Sequence, residues 1–89
     1  MVQARVRFYG RVQGIFFRAN TERKAIEMGI NGYVRNMPDG SVETVFDGNE
    51  EKVKEIIDWC SKRIRMAKVT NVDVKYEAAE VFNGFEIRY

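Results

Sequence analysis

The stretch VQARVRFYGRVQGIFFRANTERKAIEMG, residues 2–29, decides the fold because its apolar period changes midway. Val2, Ala4, Val6 and Phe8 alternate with Gln3, Arg5, Arg7 and Tyr9, the period of a strand with one covered face. From Phe17 the spacing becomes helical: Phe17, Thr21, Ala25 and Met28 share one face, and Glu22, Arg23, Lys24 and Glu27 lie on the other. Gly29 is expected to end that helix by taking the left-handed backbone its missing side chain allows.

Reading outward, Tyr33 to Asn36 forms a short second strand, Met37-Pro38-Asp39-Gly40 a turn, and Val42 to Phe46 a third strand, together a hairpin. Asn49 with Glu50 and Glu51 supplies a cap and an acidic first turn to a second helix, whose apolar stripe is Val53, Ile56, Ile57, Cys60 and Ile64. Val69, Val72, Val74 and Tyr76 suggest a fourth strand with a bulge where the spacing from Val69 to Val72 breaks the alternation. Phe85, Ile87 and Tyr89 alternate as a short last strand. The order βαββαβ plus that strand predicts an α+β, ferredoxin-like split βαβ fold over residues 1–89, an antiparallel sheet with both helices on one face. Right-handed crossovers then make strands 1 and 2 point the same way with strand 3 between them, so that their C-terminal ends meet at one rim. That rim carries the loop from Gly10 to Arg18 and, at the end of strand 2, Asn36.

Composition narrows the function. A chain of 89 residues, 45% hydrophobic and 31% charged, is expected to fold alone as one domain. Leu is absent while Val, Ile, Phe and Tyr are plentiful, a bias that favours strands. Fifteen basic against 13 acidic residues leave a charge of +2, too small a surplus for a nucleic-acid groove but compatible with a small anion. Without histidine, neither a Ser-His-Asp nucleophile nor a His-containing metal site can be built. Cys60 stands alone, which rules out an intramolecular disulfide and a cysteine-rich zinc cage and fits a reducing compartment. No apolar leader or run of about 18 apolar residues occurs, so no membrane association and a cytoplasmic location are expected. Cys60 and Trp59 read as core and core-edge residues, and Lys52, Lys54, Lys62, Arg63 and Arg65 as a solvated face.

The rim loop carries the chemistry. Gly14 lets the backbone come close to a ligand, and successive amides leading into a helix N-terminus form a concave set of donors for an anion. Arg18, at the helix start, adds a planar fork that can hold two phosphate oxygens. The plainer reading is a connecting loop with a surface arginine, since an isolated glycine-rich loop is a weak signal. Asn36 has two readings as well: it can end its strand by bonding its own backbone, or its amide can hold a water beside a phosphorus atom. Convergence favours the second, because two strand spacings, about 10 Å, is a gap that the loop and two polar side chains can close.

Gly10-Arg11-Val12-Gln13-Gly14-Ile15-Phe16-Phe17-Arg18 resembles the first signature of the acylphosphatases, Gly-x-Val-Gln-Gly-Val-x-Phe-Arg. Gly32-Tyr33-Val34-Arg35-Asn36, followed by Gly40, Val42 and Gly48, looks like the second, and Thr21, Ala25 and Gly29 also fit, so the resemblance spans essentially the whole chain. Ile15 where Val is commoner, and Ile30 where Leu is, touch no polar role. The resemblance implies metal-free and cofactor-free hydrolysis of acyl phosphates to a carboxylate and inorganic phosphate. Arg18 would bind the phosphate, Asn36 would orient the water, and Gln13, Gly14, Ile15, Phe16, Phe17 and Arg18 would form the phosphate-binding loop. Inorganic phosphate would be product and competitive inhibitor, and a monomer is expected. Elementary chemistry agrees: a carboxylate leaves readily, and a loose phosphoryl-transfer transition state asks little of a base.

The alternative is a non-catalytic ferredoxin-like module that binds an anion or nucleic acid. An RNA-binding version should carry a basic-Gly-aromatic pattern with stacking aromatics on its third strand, and Ser41 to Gly48 has none. A site that grips mainly phosphate is expected to leave the acyl group largely unread.

Overall fold

The computed structural model describes residues 1–77 and 80–89. The alternation from Val2 produces β1 (Val2–Arg11), with Ala4, Val6 and Phe8 fully buried on one face and Arg5, Arg7 and Tyr9 on the other. The helical period produces α1 (Phe17–Met28), where Phe17, Thr21 and Ala25 are buried and Met28 is half-buried. Gly29 closes it at φ 70°, and its N–H reaches the carbonyls of Ala25 and Ile26. The hairpin consists of β2 (Asn31–Asn36) and β3 (Val42–Gly48). In α2 (Glu50–Lys62) the Asn49 side chain accepts from the amides of Glu51 and Lys52, at 3.0 and 3.3 Å. Val53, Ile56 and Cys60 are buried, and the stripe continues past the helix end to Ile64, also buried. Truncating a side chain such as Ile56 to Ala typically costs about 2–5 kcal/mol.

Two strands complete the sheet: β4 (Lys68–Tyr76) and β5 (Phe85–Arg88). The strand order is β4-β1-β3-β2-β5. Antiparallel pairing of β3 with both β1 and β2 makes β1 and β2 parallel to each other, so Gly10 and Asn36 come to the same rim. The expected bulge lies in β4: Tyr9 pairs Asn71 and Gly10 pairs Val69, which leaves Thr70 unpaired. Gly10, at φ 114°, is required there, because a Cβ would collide with the Lys68 carbonyl oxygen.

The sheet is mixed where an antiparallel one was expected, because β5 adds parallel to β2. Topology explains this. The chain leaves β4 opposite Ala4, at the end of the sheet where β1 begins, and β5 starts beside Gly32, near the start of β2. It therefore runs in the direction of β2. On the face of the sheet that lacks helices, Phe82 packs on Tyr33 and Val45 and the Gln3 amide donates to the Glu80 carbonyl at 2.8 Å.

The same open face holds a buried carboxylate that the sequence reading did not single out. Glu43 accepts from the Tyr33 hydroxyl at 2.8 Å, Arg35 Nε at 3.0 Å and Arg7 Nη2 at 3.4 Å. Burial alone would raise its pKa, but the Tyr33 hydroxyl and the Arg35 guanidinium outweigh this and hold the carboxyl below its ordinary value. Tyr33 shifts upward, through its own burial and then through the same carboxylate. Between the helices, Cys60 is 1% exposed with its Sγ 3.6 Å from Thr21 Oγ1, and burial pushes the thiol up to about 12.

Candidate functional site

The chain leaves β1 through Gly14, whose φ of 75° requires no other residue to give way, since a Cβ there would meet nothing within 4 Å. Backbone conformation alone favours glycine at this position. Three residues on, Phe17 turns inward and packs its ring on Phe8, with centroids 5.3 Å apart, which anchors the first turn of α1 to the sheet. Phe16 precedes the helix in the left-handed region, φ 60° and ψ 24°, and provides no side-chain cap. The amides at the helix start therefore have no capping side chain, and this end of α1 carries the positive end of its dipole.

A cavity of about 310 Å³ opens at this rim, lined by Val12, Gly14, Phe16, Phe17, Arg18, Ala19, Asn36, Ile87 and Tyr89. The two polar candidates, Arg18 and Asn36, thus share one wall system although 18 positions separate them in the chain. Arg18 is half-buried, and among the described residues no carboxylate pairs with it. Its guanidinium carbon lies 4.9 Å from the centre of the Tyr89 ring. Asn36 Oδ1 is buried and has no hydrogen-bond partner among the described residues. A buried acceptor left unpaired costs about 1–3 kcal/mol.

The proposed loop residues divide. Gly14, Phe16, Phe17 and Arg18 face the cavity, while Gln13 and Ile15 do not line it. Ile15 packs against the core. Gln13 points the other way, donating from Nε2 to the carbonyls of Met37 and Ser41 at 2.8 and 2.9 Å. Those carbonyls belong to the turn that follows Asn36, itself closed by the Met37 amide on Ser41 O and by the Asp39 carboxylate, which accepts from the Ser41 amide at 2.9 Å. The two hydrogen bonds from Ser41 hold the Asp39 carboxyl below its usual range. Gln13 therefore fastens the loop to the strand end that carries Asn36.

Tyr89 was expected inside the last strand. It lies one residue beyond β5 and is 98% exposed. The alternation still governs its direction, for Phe85 and Ile87 precede it on the helix side, and this puts its ring beside Arg18 of α1. Among the described residues no group of three His, Cys, Asp or Glu side chains converges as a metal site would require. No helix is long and apolar enough to cross a membrane among those residues.

Comparison with known proteins is specific. The sequence model of one family, described as Acylphosphatase, matches residues 4–87. A relative from Thermoplasma volcanium, named Acylphosphatase, is 48% identical over 94% of this chain and 93% of its own length. Another of that name from Thermococcus kodakarensis is 45% identical over 97% of this chain and 94% of its own. Among solved structures, the acylphosphatase of Bacillus subtilis superimposes with a TM-score of 0.95 at 31% identity, all of each chain being covered.

Proposed function

The chain belongs to the acylphosphatase family, and from that premise we propose that Arg18 and the 13–18 loop hold the phosphate of an acyl phosphate while Asn36 orients the attacking water. The activity is hydrolysis of the carboxyl-phosphate bond to a carboxylate and inorganic phosphate. The observation that carries the assignment is that Asn36, whose Oδ1 has no hydrogen-bond partner among the described residues, lines the same cavity as Arg18.

In this scheme the phosphoryl oxygens take the amides of the loop and helix start and the two-pronged edge of Arg18. Asn36 Oδ1 accepts one hydrogen from water and aims its lone pair at phosphorus. A bond forms from the water oxygen to phosphorus as the bond to the carboxyl oxygen breaks, the carboxylate departs with the electron pair, and the water's proton passes to the phosphate itself. Neither a metal nor a histidine is needed, since positioning and preorganised donors supply the stabilisation. Inorganic phosphate, matching the bound half of the substrate, is a competitive inhibitor. The chain acts as a monomer in the reducing cytoplasm, a setting suited to its free thiol.

Asn36→Ala tests the scheme. With little contact to ground-state substrate at stake, kcat should fall on the order of 10², the scale for losing one positioned polar group, while phosphate inhibition and the urea midpoint stay near parental values. Asn36→Asp should bind phosphate less well than Asn36→Ala, because its carboxylate repels the dianion. A folded Asn36→Ala protein with parental kcat would falsify the water-orienting role.

A further inference from the structure

Strand β4 stands at one end of the strand order, so β1 is its only neighbour in the sheet. The Glu77 N–H donates to the Gln3 carbonyl at 3.0 Å, and Tyr76 lies opposite Ala4. Bonded and non-bonded positions alternate along an antiparallel ladder, so Asn71, Asp73 and Lys75 also turn their backbone groups toward β1. Val72, Val74 and Tyr76 turn theirs outward, where no strand of the sheet meets them. Their side chains lie on the helix side, where Val74 is 42% and Tyr76 51% exposed. With Ile57 of α2 they line a groove of about 450 Å³.

The other face of the strand carries two charges that the chain does not pair. Arg7 stands opposite Asp73 in the ladder but bridges to Asp39 and Glu43, and Arg5 stands opposite Lys75 but bridges to Glu77. Among the described residues neither Asp73 nor Lys75 has an ion-pair partner. A second copy of the same strand supplies both. When two β4 edges run antiparallel about a two-fold at Val74, Val74 meets Val74 and Val72 meets Tyr76 through their outward backbone groups, and Asp73 meets Lys75 twice. Moving the two-fold by one residue sets Asp73 against Asp73 or Lys75 against Lys75. Moving it further runs the pairing into the bulge at Thr70 or past the end of β4 at Tyr76. One register therefore satisfies backbone, apolar face and charge together.

We infer that β4 is a self-recognition edge, through which two copies of this chain join their five-stranded sheets into one continuous sheet. A two-fold contact of this kind uses up the edge in both copies and closes at two. One strand a side makes a small interface, so pairing is weak and reversible. At the dilution of a turnover assay the chain is the monomer of the proposed function, and pairs form as concentration rises. The candidate site stays open in the pair: Val69 lies opposite Gly10 at the rim, whereas the two-fold is displaced toward the end where Tyr76 meets Ala4.

Sedimentation equilibrium at low salt tests the pairing. From about 10 μM to about 1 mM, the span in which a small interface associates, the mean mass of the parent should rise from 10.4 kDa toward twice that value and no further. Asp73→Lys sets like charges opposite each other at two places, and so does Lys75→Asp. Each should raise the dissociation constant on the order of tenfold. Mixing the two variants restores opposite charges at both places, and the mixture should associate as the parent does. Both positions are exposed and lie outside the rim site, so kcat in dilute solution should stay parental and report that the variants fold. A parent mass fixed at one chain up to about 1 mM, growth beyond two copies, or single variants that pair as tightly as the parent overturns the inference. A mixture that associates no better than its components overturns the register and the edge with it.

Discussion

Arg18 places its guanidinium carbon 4.9 Å from the centre of the Tyr89 ring, and among the described residues no carboxylate pairs with its N–H donors. Lysine would keep the charge and lose the two-pronged fork. In Arg18→Lys, the inhibition constant for inorganic phosphate should rise roughly tenfold and kcat fall on the order of 10², consistent with loss of a bidentate charge-assisted contact in the transition state. The urea midpoint should stay put, since among the described residues no carboxylate depends on Arg18. Near-parental kinetics in that variant would remove Arg18 as the phosphate fork. Arg18 and Asn36 were legible in the sequence because the strand and helix periods place both at one rim. Gln13 was read only for its backbone, and nothing in a linear pattern says that its side chain spans to the carbonyls of Met37 and Ser41.

At the scale of elements, that glutamine joins the β1–α1 loop to the β2–β3 turn. Its amide adds a second donor to each of two carbonyls that already accept a backbone amide within the turn, so Gln13→Ala should loosen the turn and the direction of Asn36 together. The expected result is a kcat reduced on the order of tenfold and a stability loss of about 1–2 kcal/mol, read from turnover and urea midpoints on the same samples. Unchanged turnover with lowered stability would reduce Gln13 to a structural brace. Each regular element was visible as a period or a cap: Asn49 before α2, Gly29 after α1, and the broken spacing at Val69 and Val72 that became the β4 bulge. The placement of β5 was not visible. Phe85, Ile87 and Tyr89 show that a strand exists and which face it buries, but four residues of alternation carry nothing about the edge they join or the direction they run. That was settled by where β4 lets the chain go.

For the whole molecule, acid stability should centre on Glu43. Its carboxyl titrates lower in the folded state than in the unfolded chain, so the stabilisation is fully present above the unfolded value, about 4.3, and is lost as pH falls through the lower folded value. Glu43→Gln should cost about 1–3 kcal/mol near neutrality, because an uncharged amide serves the Tyr33 hydroxyl and the arginines less well. It should also flatten the decline in urea midpoint between about pH 6 and about pH 3 relative to the parent. Parallel declines in the two proteins would show that other carboxylates govern the acid limb. This face of the sheet was the least legible part of the fold. Tyr33, Arg35 and Glu43 alternate correctly as outward residues, yet a carboxylate at such a position ordinarily meets water, and its burial goes with the Tyr33 hydroxyl and the two arginines that close on it.

Cys60 gives the molecule a chemical clock. Its sulfur sits against Thr21 of the facing helix, and the thiol keeps its proton at any physiological pH. An alkylating reagent needs both contact and thiolate, so it can mark only those molecules in which α1 and α2 have parted. With reagent in excess, the labelling rate counts those partings one by one in the native population. A variant that disturbs only the rim should leave the count alone, whereas one that weakens the core should hasten it, with no denaturant present and no catalytic assay involved.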